Sequence, residues 1–273
     1  MPSDPIDALP PLREIIAAHG LAAQKRLGQH FLLDSNLTDR IARSAGGLAG
    51  KIVLEVGPGP GGLTRSLLRC GAERVVAVEK DGRCIEALQS LVQAASGRLT
   101  LIEEDALAFE PSDLGSGPYA VVSNLPYNIS SPLLIKWLQH SDLIDSMTLM
   151  FQKEVADRLS AKPSTKAYGR LSVMTQWLCD TTHLFNVDKR AFTPPPKVMS
   201  SVVSLRPKQA SRPVPSWASM EKLVAAAFNQ RRKMLRTSLS GLSLDFDRVG
   251  IDPSHRAENL SVAEYEALAR QLD

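Results

Sequence analysis

From Lys51 onward, short apolar runs rich in β-branched residues alternate with stretches of helical spacing. Ile52-Val53-Leu54-Glu55-Val56 predicts a strand, Leu63 to Cys70 a helix, Val75-Val76-Ala77-Val78 a second strand and Arg83 to Ala94 a second helix. Leu99 to Ile102, Ala120-Val121-Val122 and Met147 to Phe151 predict further strands. Apolar strands alternating with helices of about ten residues are the pattern of βαβ units and a parallel sheet, so the fold class is α/β. Thr181 to Val187 and Val198 to Leu205 predict two more strands near the end of this sheet, able to pair antiparallel. Ahead of the pattern, Met1 to Pro11 is Pro-rich and expected to be loose, and Leu12 to Ala18 predicts a short amphipathic helix. Arg206 to Pro215 carries three prolines, which exclude a helix or central strand and predict a linker. Beyond it the periodicity is helical. Ser261 and Glu264 form a capping box, and Val262, Tyr265, Leu268 and Leu272 give the following helix an apolar face. The expected organisation is an N-terminal extension over 1–26, a sheet domain over 27–207 and a small helical domain over 208–273.

Composition narrows the class. Of 273 residues 44% are hydrophobic and 22% charged, which fits a globular chain and excludes disordered and fibrous classes. No apolar run approaches the ~18 residues of a membrane span, and the first twenty residues fit neither a secretory signal nor a transit peptide. Cys70, Cys84 and Cys179 are odd in number and widely spaced. A disulfide framework or structural metal site is not expected, and a reducing cytoplasm is.

The net charge of +3 hides a segregation. Residues 51–150 carry eight basic and twelve acidic groups, net −4, whereas residues 151–212 carry eleven and four, net +7. Phosphate binding depends on local potential, so a basic stretch after an acidic half points to nucleic acid more strongly than the total does.

The chemistry gathers at predicted strand ends. Gly57, Gly59 and Gly61 directly follow the first strand, where glycines let backbone pass close to a ligand at a helix N-terminus. Glu79 ends the second strand, 22 residues after Gly57, placed to accept hydrogen bonds from ribose hydroxyls. A dinucleotide cofactor would explain both features equally well. Asp105 follows the third strand and suits the exocyclic amine of a bound adenine; Asn124 follows the fourth, in Asn124-Leu125-Pro126-Tyr127. Asp and Asn also serve as caps and turn residues, but four strand ends in register line one crevice. An adenine amine is a poor nucleophile because its lone pair is delocalised into the ring. The Asn124 Oδ1 and the Leu125 or Pro126 carbonyl could hydrogen-bond its hydrogens and free that lone pair, with the Tyr127 ring stacked on the base. Attack on a sulfonium methyl then needs no protein nucleophile, in keeping with the lack of a triad or metal-ligand spacing among the five histidines.

These residues sit in longer stretches: Gly28-Gln29-His30-Phe31-Leu32, Glu55 to Gly61, Val78-Glu79-Lys80-Asp81, Glu104-Asp105-Ala106, Asn124 to Ser130, Phe151 to Val155 and Phe192-Thr193-Pro194-Pro195-Pro196-Lys197-Val198. In them the chain resembles the bacterial small-subunit (16S) ribosomal RNA adenine N6,N6-dimethyltransferases, whose loss confers kasugamycin resistance. The resemblance implies a Rossmann-like class I S-adenosylmethionine-dependent methyltransferase sheet with a small C-terminal helical domain. It puts the S-adenosylmethionine site on His30, Leu32, Gly57, Gly59, Glu79, Asp105 and Asn124, and adds Phe192 to Asn124, Leu125, Pro126 and Tyr127 as a second aromatic wall for the target base. His30 stands where many members carry Asn. The implied partner is 16S rRNA within the 30S subunit, with dimethylation of two adjacent adenosines in a hairpin near its 3′ end, by a monomer without metal or membrane.

The RNA-contact candidates are Lys153, Arg158, Lys189, Arg190 and Lys197 in the basic stretch and Arg231, Arg232, Lys233 and Arg236 in the tail. Two other functions fit the same motifs: a large-subunit rRNA methyltransferase of the macrolide-resistance type, and a non-catalytic assembly checkpoint. Intact Asn124 and Tyr127 speak against the latter, and the absence of a hydride-transfer acid after the fourth strand speaks against a dehydrogenase.

Overall fold

The structure is a computed structural model that describes residues 4–24, 28–115, 117–208 and 215–273. In chain order the elements are α1 (Leu12–Ala18), β1 (Phe31–Leu32), α2 (Ser35–Ser44), β2 (Ile52–Val56), α3 (Gly62–Arg69), β3 (Arg74–Glu79), α4 (Gly82–Ala94), β4 (Leu99–Glu103), β5 (Tyr119–Asn124), α5 (Ser130–Gln139), β6 (Ile144–Gln152), α6 (Lys153–Leu159), α7 (Arg170–Leu178), β7 (Cys179–Val187), β8 (Phe192–Thr193), β9 (Ser200–Pro207), α8 (Trp217–Asn229), α9 (Leu235–Ser238) and α10 (Val262–Ala269). Seven strands form one sheet in the order β4-β3-β2-β5-β6-β9-β7. The first five are parallel, and β9 runs antiparallel to β6. From β2 the chain builds outward through β3 to β4, then returns to the other side of β2 for β5 and β6. The order therefore reverses between β2 and β5, the place where open α/β sheets bind ligands at the carboxyl ends of their strands.

The chain divides into two compact units. The first comprises residues 1–156 and 182–206. Its core joins Val53, Val75, Ala77, Ala120 and Val122 of the central strands to Leu67 and Leu68 of α3 and Leu88 and Leu91 of α4. Each fully buried Val or Leu side chain in this core contributes roughly 1.5–3 kcal/mol. The N-terminal segment is part of this packing and not the loose extension expected from its prolines: Ile6 is buried in the same cluster, and Ile15 and Leu21 pack against Phe31, Cys84 and Ala87.

The second unit comprises residues 157–181 and 207–273. Here the structure departs from the expected division, which put residues 157–181 in the sheet domain. Aromatic packing explains the difference. The Trp177 ring lies 5.9 Å from Trp217, Phe228 lies 6.4 Å from Tyr168 and 6.0 Å from Tyr265, and the Tyr168 and Tyr265 hydroxyls donate to the Leu260 and Ala257 carbonyls. The capping box of Ser261 and Glu264 starts α10 as its spacing predicts. Most of the predicted linker, residues 209–214, lies outside the described residues.

Candidate active site

The loop after β2 is held in left-handed backbone by its glycines. Gly57 has φ +69° and donates its N–H to the Val78 carbonyl at 2.9 Å, and Gly59 has φ +55°. A Cβ on Gly57 would come within 3.3 Å of the Pro126 ring, and one on Gly59 within 3.2 Å of the Phe31 ring. The positive φ strains any other residue, and the close approach would make the neighbouring ring give way to a Cβ.

Glu79 clamps this loop. Its Oε2 accepts from the Gly59 N–H at 3.1 Å, and its Oε1 accepts from the N–H groups of Lys80 and Asp81, both at 2.9 Å. Burial pushes its pKa above the ordinary carboxylate range, while the three N–H groups pull against that rise. A carboxylate has about four acceptor positions, so Oε2 keeps one for a ligand. Asp105 is held below its ordinary pKa first by Lys80, whose Nζ lies 2.6 Å from Oδ2, and then by the Leu107 N–H, 3.0 Å from Oδ1.

Asn124 ends β5 and donates its Nδ2 to the His30 carbonyl at 3.2 Å. A carbonyl can only accept, so this contact fixes the amide's orientation and leaves Oδ1 as the free acceptor. His30 Nδ1 lies 2.8 Å from the Pro194 carbonyl, and its ring centroid is 5.5 Å from that of Tyr127. The Tyr127 hydroxyl is hydrogen-bonded to Ser200, and burial pushes its pKa up.

His30, Leu32, Gly57, Gly59, Glu79, Asp105, Asn124, Leu125, Pro126 and Tyr127 all line one cavity. Phe192 does not line it. Pairing of β8 with β1 sets Phe192 opposite Leu32 and turns the ring into the core, where it is 3% exposed and meets His30 edge-on at 6.4 Å.

The structure also brings into the cavity residues that lie within the sequence motifs but carry no expected role there: Gln29, Lys80 and Asn128 line it, as does Glu55, which is 1% exposed. Burial raises the Glu55 pKa to about 8, and the nearby Glu79 charge adds to the rise. Neither Glu55 Oε2 nor Thr64 Oγ1 has a hydrogen-bond partner. The signal was present in the sequence, as one acid inside an otherwise apolar strand.

A family model described as ribosomal RNA adenine dimethylase matches residues 20–273. The chain belongs to the ribosomal RNA adenine dimethylase family. Among curated relatives, the ribosomal RNA small subunit methyltransferase A of Rhodospirillum rubrum is 53% identical over 273 residues, covering 98% of this chain and 94% of the relative. That of Dinoroseobacter shibae is 53% identical over 274 residues, covering 98% of both chains. Among solved structures, a dimethyladenosine transferase from Plasmodium falciparum is 26% identical with a TM-score of 0.73, covering 88% of this chain and 96% of its own. The 23S rRNA methyltransferase ErmE is 28% identical with a TM-score of 0.67, covering 89% and 99%. The adenine dimethylase thus has the class I methyltransferase fold, and S-adenosylmethionine is its methyl donor.

The cationic residues of the dimethylase differ in their availability. Lys189, Lys197, Arg232, Lys233 and Arg236 are exposed. Arg190 is exposed but paired with Asp188 at 2.9 Å, and Lys153 and Arg158 have partners within the fold. Arg231 departs furthest from its expected role at a phosphate. Its Nε lies 2.8 Å from Glu258 and its Nη2 donates to the Lys166 carbonyl at 2.9 Å, so it braces the second unit.

Proposed function

We propose that this dimethylase methylates two adjacent adenosines of 16S rRNA, in a hairpin near the 3′ end, within the 30S particle. It does so as a monomer in the cytoplasm. The observation that carries the reading is the Asn124 amide, which lines the cavity with its Nδ2 committed to the His30 carbonyl, so that Oδ1 is left as an acceptor.

The residues present fit S-adenosylmethionine. The orphaned buried Oε2 of Glu55, the spare acceptor position on Glu79 and the glycine backbone are the polar groups that such a cofactor requires. We assign Glu79 to its ribose hydroxyls, Asp105 to its adenine amine, and His30, Leu32, Gly57, Gly59 and Asn124 to the remaining wall. When bound, S-adenosylmethionine supplies an electrophilic sulfonium methyl.

The chain's own part is to prepare the nucleophile. Asn124 Oδ1 accepts one N6 hydrogen. One of the two acceptor positions of the Pro126 carbonyl is taken by the Ile129 N–H at 3.1 Å, and we assign the second acceptor role to the Leu125 carbonyl. Drawing both hydrogens out of the base plane favours a pyramidal nitrogen with an available lone pair, and the Tyr127 ring supports the base by stacking. Each transfer forms one N–C bond, breaks one S–C bond and releases one proton to solvent.

The small subunit is favoured over the large because relatives at 50% identity and above bear the small-subunit name, whereas the 23S enzyme stands at 28%. Among the described residues no helix is long and apolar enough to cross a membrane. The test is mass mapping of 16S rRNA after incubation of unmodified 30S particles with the protein and S-adenosylmethionine. Two adjacent dimethyladenosines near the 3′ end are expected, and modification elsewhere overturns the assignment.

A further inference from the structure

We propose that Val198 and Met199 form an apolar wedge that packs against the base stacked beside the target adenosine, taking the space left when that adenosine enters the cavity. The proposal rests on the rRNA reading above. Four large apolar side chains stand exposed among the described residues, and only Val198 (45%) and Met199 (41%) are consecutive. Isolated exposed hydrophobics are ordinary; two in a row, directly before a residue bonded to a cavity-lining ring, are not.

Their place in the fold points the same way. Ser200 follows directly, fully buried, and its hydroxyl is hydrogen-bonded to that of Tyr127, which lines the cavity. The two side chains therefore stand next to the residue that holds the ring assigned to stack on the flipped base. The segment is anchored at both ends. The Met199 carbonyl accepts the Lys153 N–H at 2.9 Å, and on the other side the Pro194 carbonyl meets His30 Nδ1 at 2.8 Å. Pro194, Pro195 and Pro196 restrict the backbone between. Exposed apolar side chains on a fixed stalk suit insertion into a stack, as in proteins that unstack bases with Leu, Ile or Met.

Charge identifies the occupant as nucleic acid. Residues 188–206 contain four cations against one acid, and although Asp188 pairs with Arg190, Lys189 and Lys197 are exposed, Lys197 directly next to Val198. The cation would engage the backbone phosphate while its apolar neighbours meet the base.

The test compares the polar near-isostere V198T/M199Q with the apolar V198I/M199L, on unmodified 30S particles with saturating enzyme. Single-turnover methyl transfer by V198T/M199Q is expected to fall about tenfold or more, while 30S affinity, cofactor affinity and melting temperature stay within about twofold or unchanged. V198I/M199L should keep the parent rate. A parent-like V198T/M199Q, or an equal loss in both variants, overturns the wedge. A loss confined to 30S affinity also overturns it and indicates a docking contact with a ribosomal protein. If the parent itself transfers no methyl group to 30S adenines, the rRNA reading fails first, and that outcome is distinct from all the others.

Discussion

Asn124 and His30, 94 residues apart in sequence, are joined by a single 3.2 Å hydrogen bond from side-chain amide to backbone carbonyl. Orientation of the amide is the property at stake. Asn124→Asp keeps the size of the side chain, but a carboxylate cannot donate to the His30 carbonyl. Single-turnover methyl transfer should fall at least about 100-fold, the scale of losing one oriented polar group at a reacting centre. Cofactor affinity measured by calorimetry should change far less. A rate near that of the parent would remove Asn124 from the chemical step.

Glu79 binds three backbone N–H groups, so its replacement affects the loop as well as the ligand. Glu79→Gln must turn an NH2 toward the N–H of either Gly59 or of Lys80 and Asp81. S-adenosylmethionine affinity is expected to weaken about tenfold or more, with a lower melting temperature even without ligand. Loss of affinity without loss of stability would mean that the three backbone hydrogen bonds carry little.

Glu55 makes stability depend on pH in a stated direction. Folded, it keeps its proton up to about 8; unfolded, it releases it near its ordinary value of 4.5. Between these values the folded state binds more protons, so stability falls as pH rises, by on the order of 1 kcal/mol per pH unit. Glu55→Gln removes this dependence. Its stability advantage over the parent in denaturant melts should be larger at pH 8 than at pH 5, and a constant difference would show that Glu55 titrates normally.

The tail cations should separate into two kinds. Replacing Arg232 and Lys233 by Glu should lower the salt slope of 30S binding by roughly 0.7–0.9 for each phosphate that is no longer neutralised, as read by filter binding. Arg231→Ala should instead lower the melting temperature, because it removes a brace to Glu258 and the Lys166 carbonyl. An unchanged melting temperature with a lowered slope would return Arg231 to the RNA interface.

Much of this was legible in the sequence because it is local. A β-branched run followed by Gly57, Gly59 and Gly61 dictates a strand and a close turn, and acids at strand ends fall into one crevice once the sheet is parallel. What escaped depended on partners distant in sequence. Phe192 is expected from the resemblance as a wall for the target base until β8 pairs with β1 and turns its ring into the core. Residues 157–181 read as part of the sheet domain until Trp177 meets Trp217 and Tyr168 meets Phe228, rings on the far side of the prolines. Ile6, among prolines and acids, gives no periodic signal, yet it is core.

The close approach of Gly57 to Pro126, whose ring a Cβ would meet at 3.3 Å, has a consequence for accuracy. The glycine loop leaves β2 and the Asn124-Tyr127 motif leaves β5, neighbouring strands held in register by Val53 with Ala120 and Leu54 with Val121. On the proposed assignments donor and acceptor are thus mounted on adjacent rails of one hydrogen-bonded ladder, about 4.8 Å apart. An enzyme that repeats the same displacement on one nitrogen needs the same baseline on both passes. Here the gauge is set by the sheet, so that the second methyl can be delivered along the line of the first.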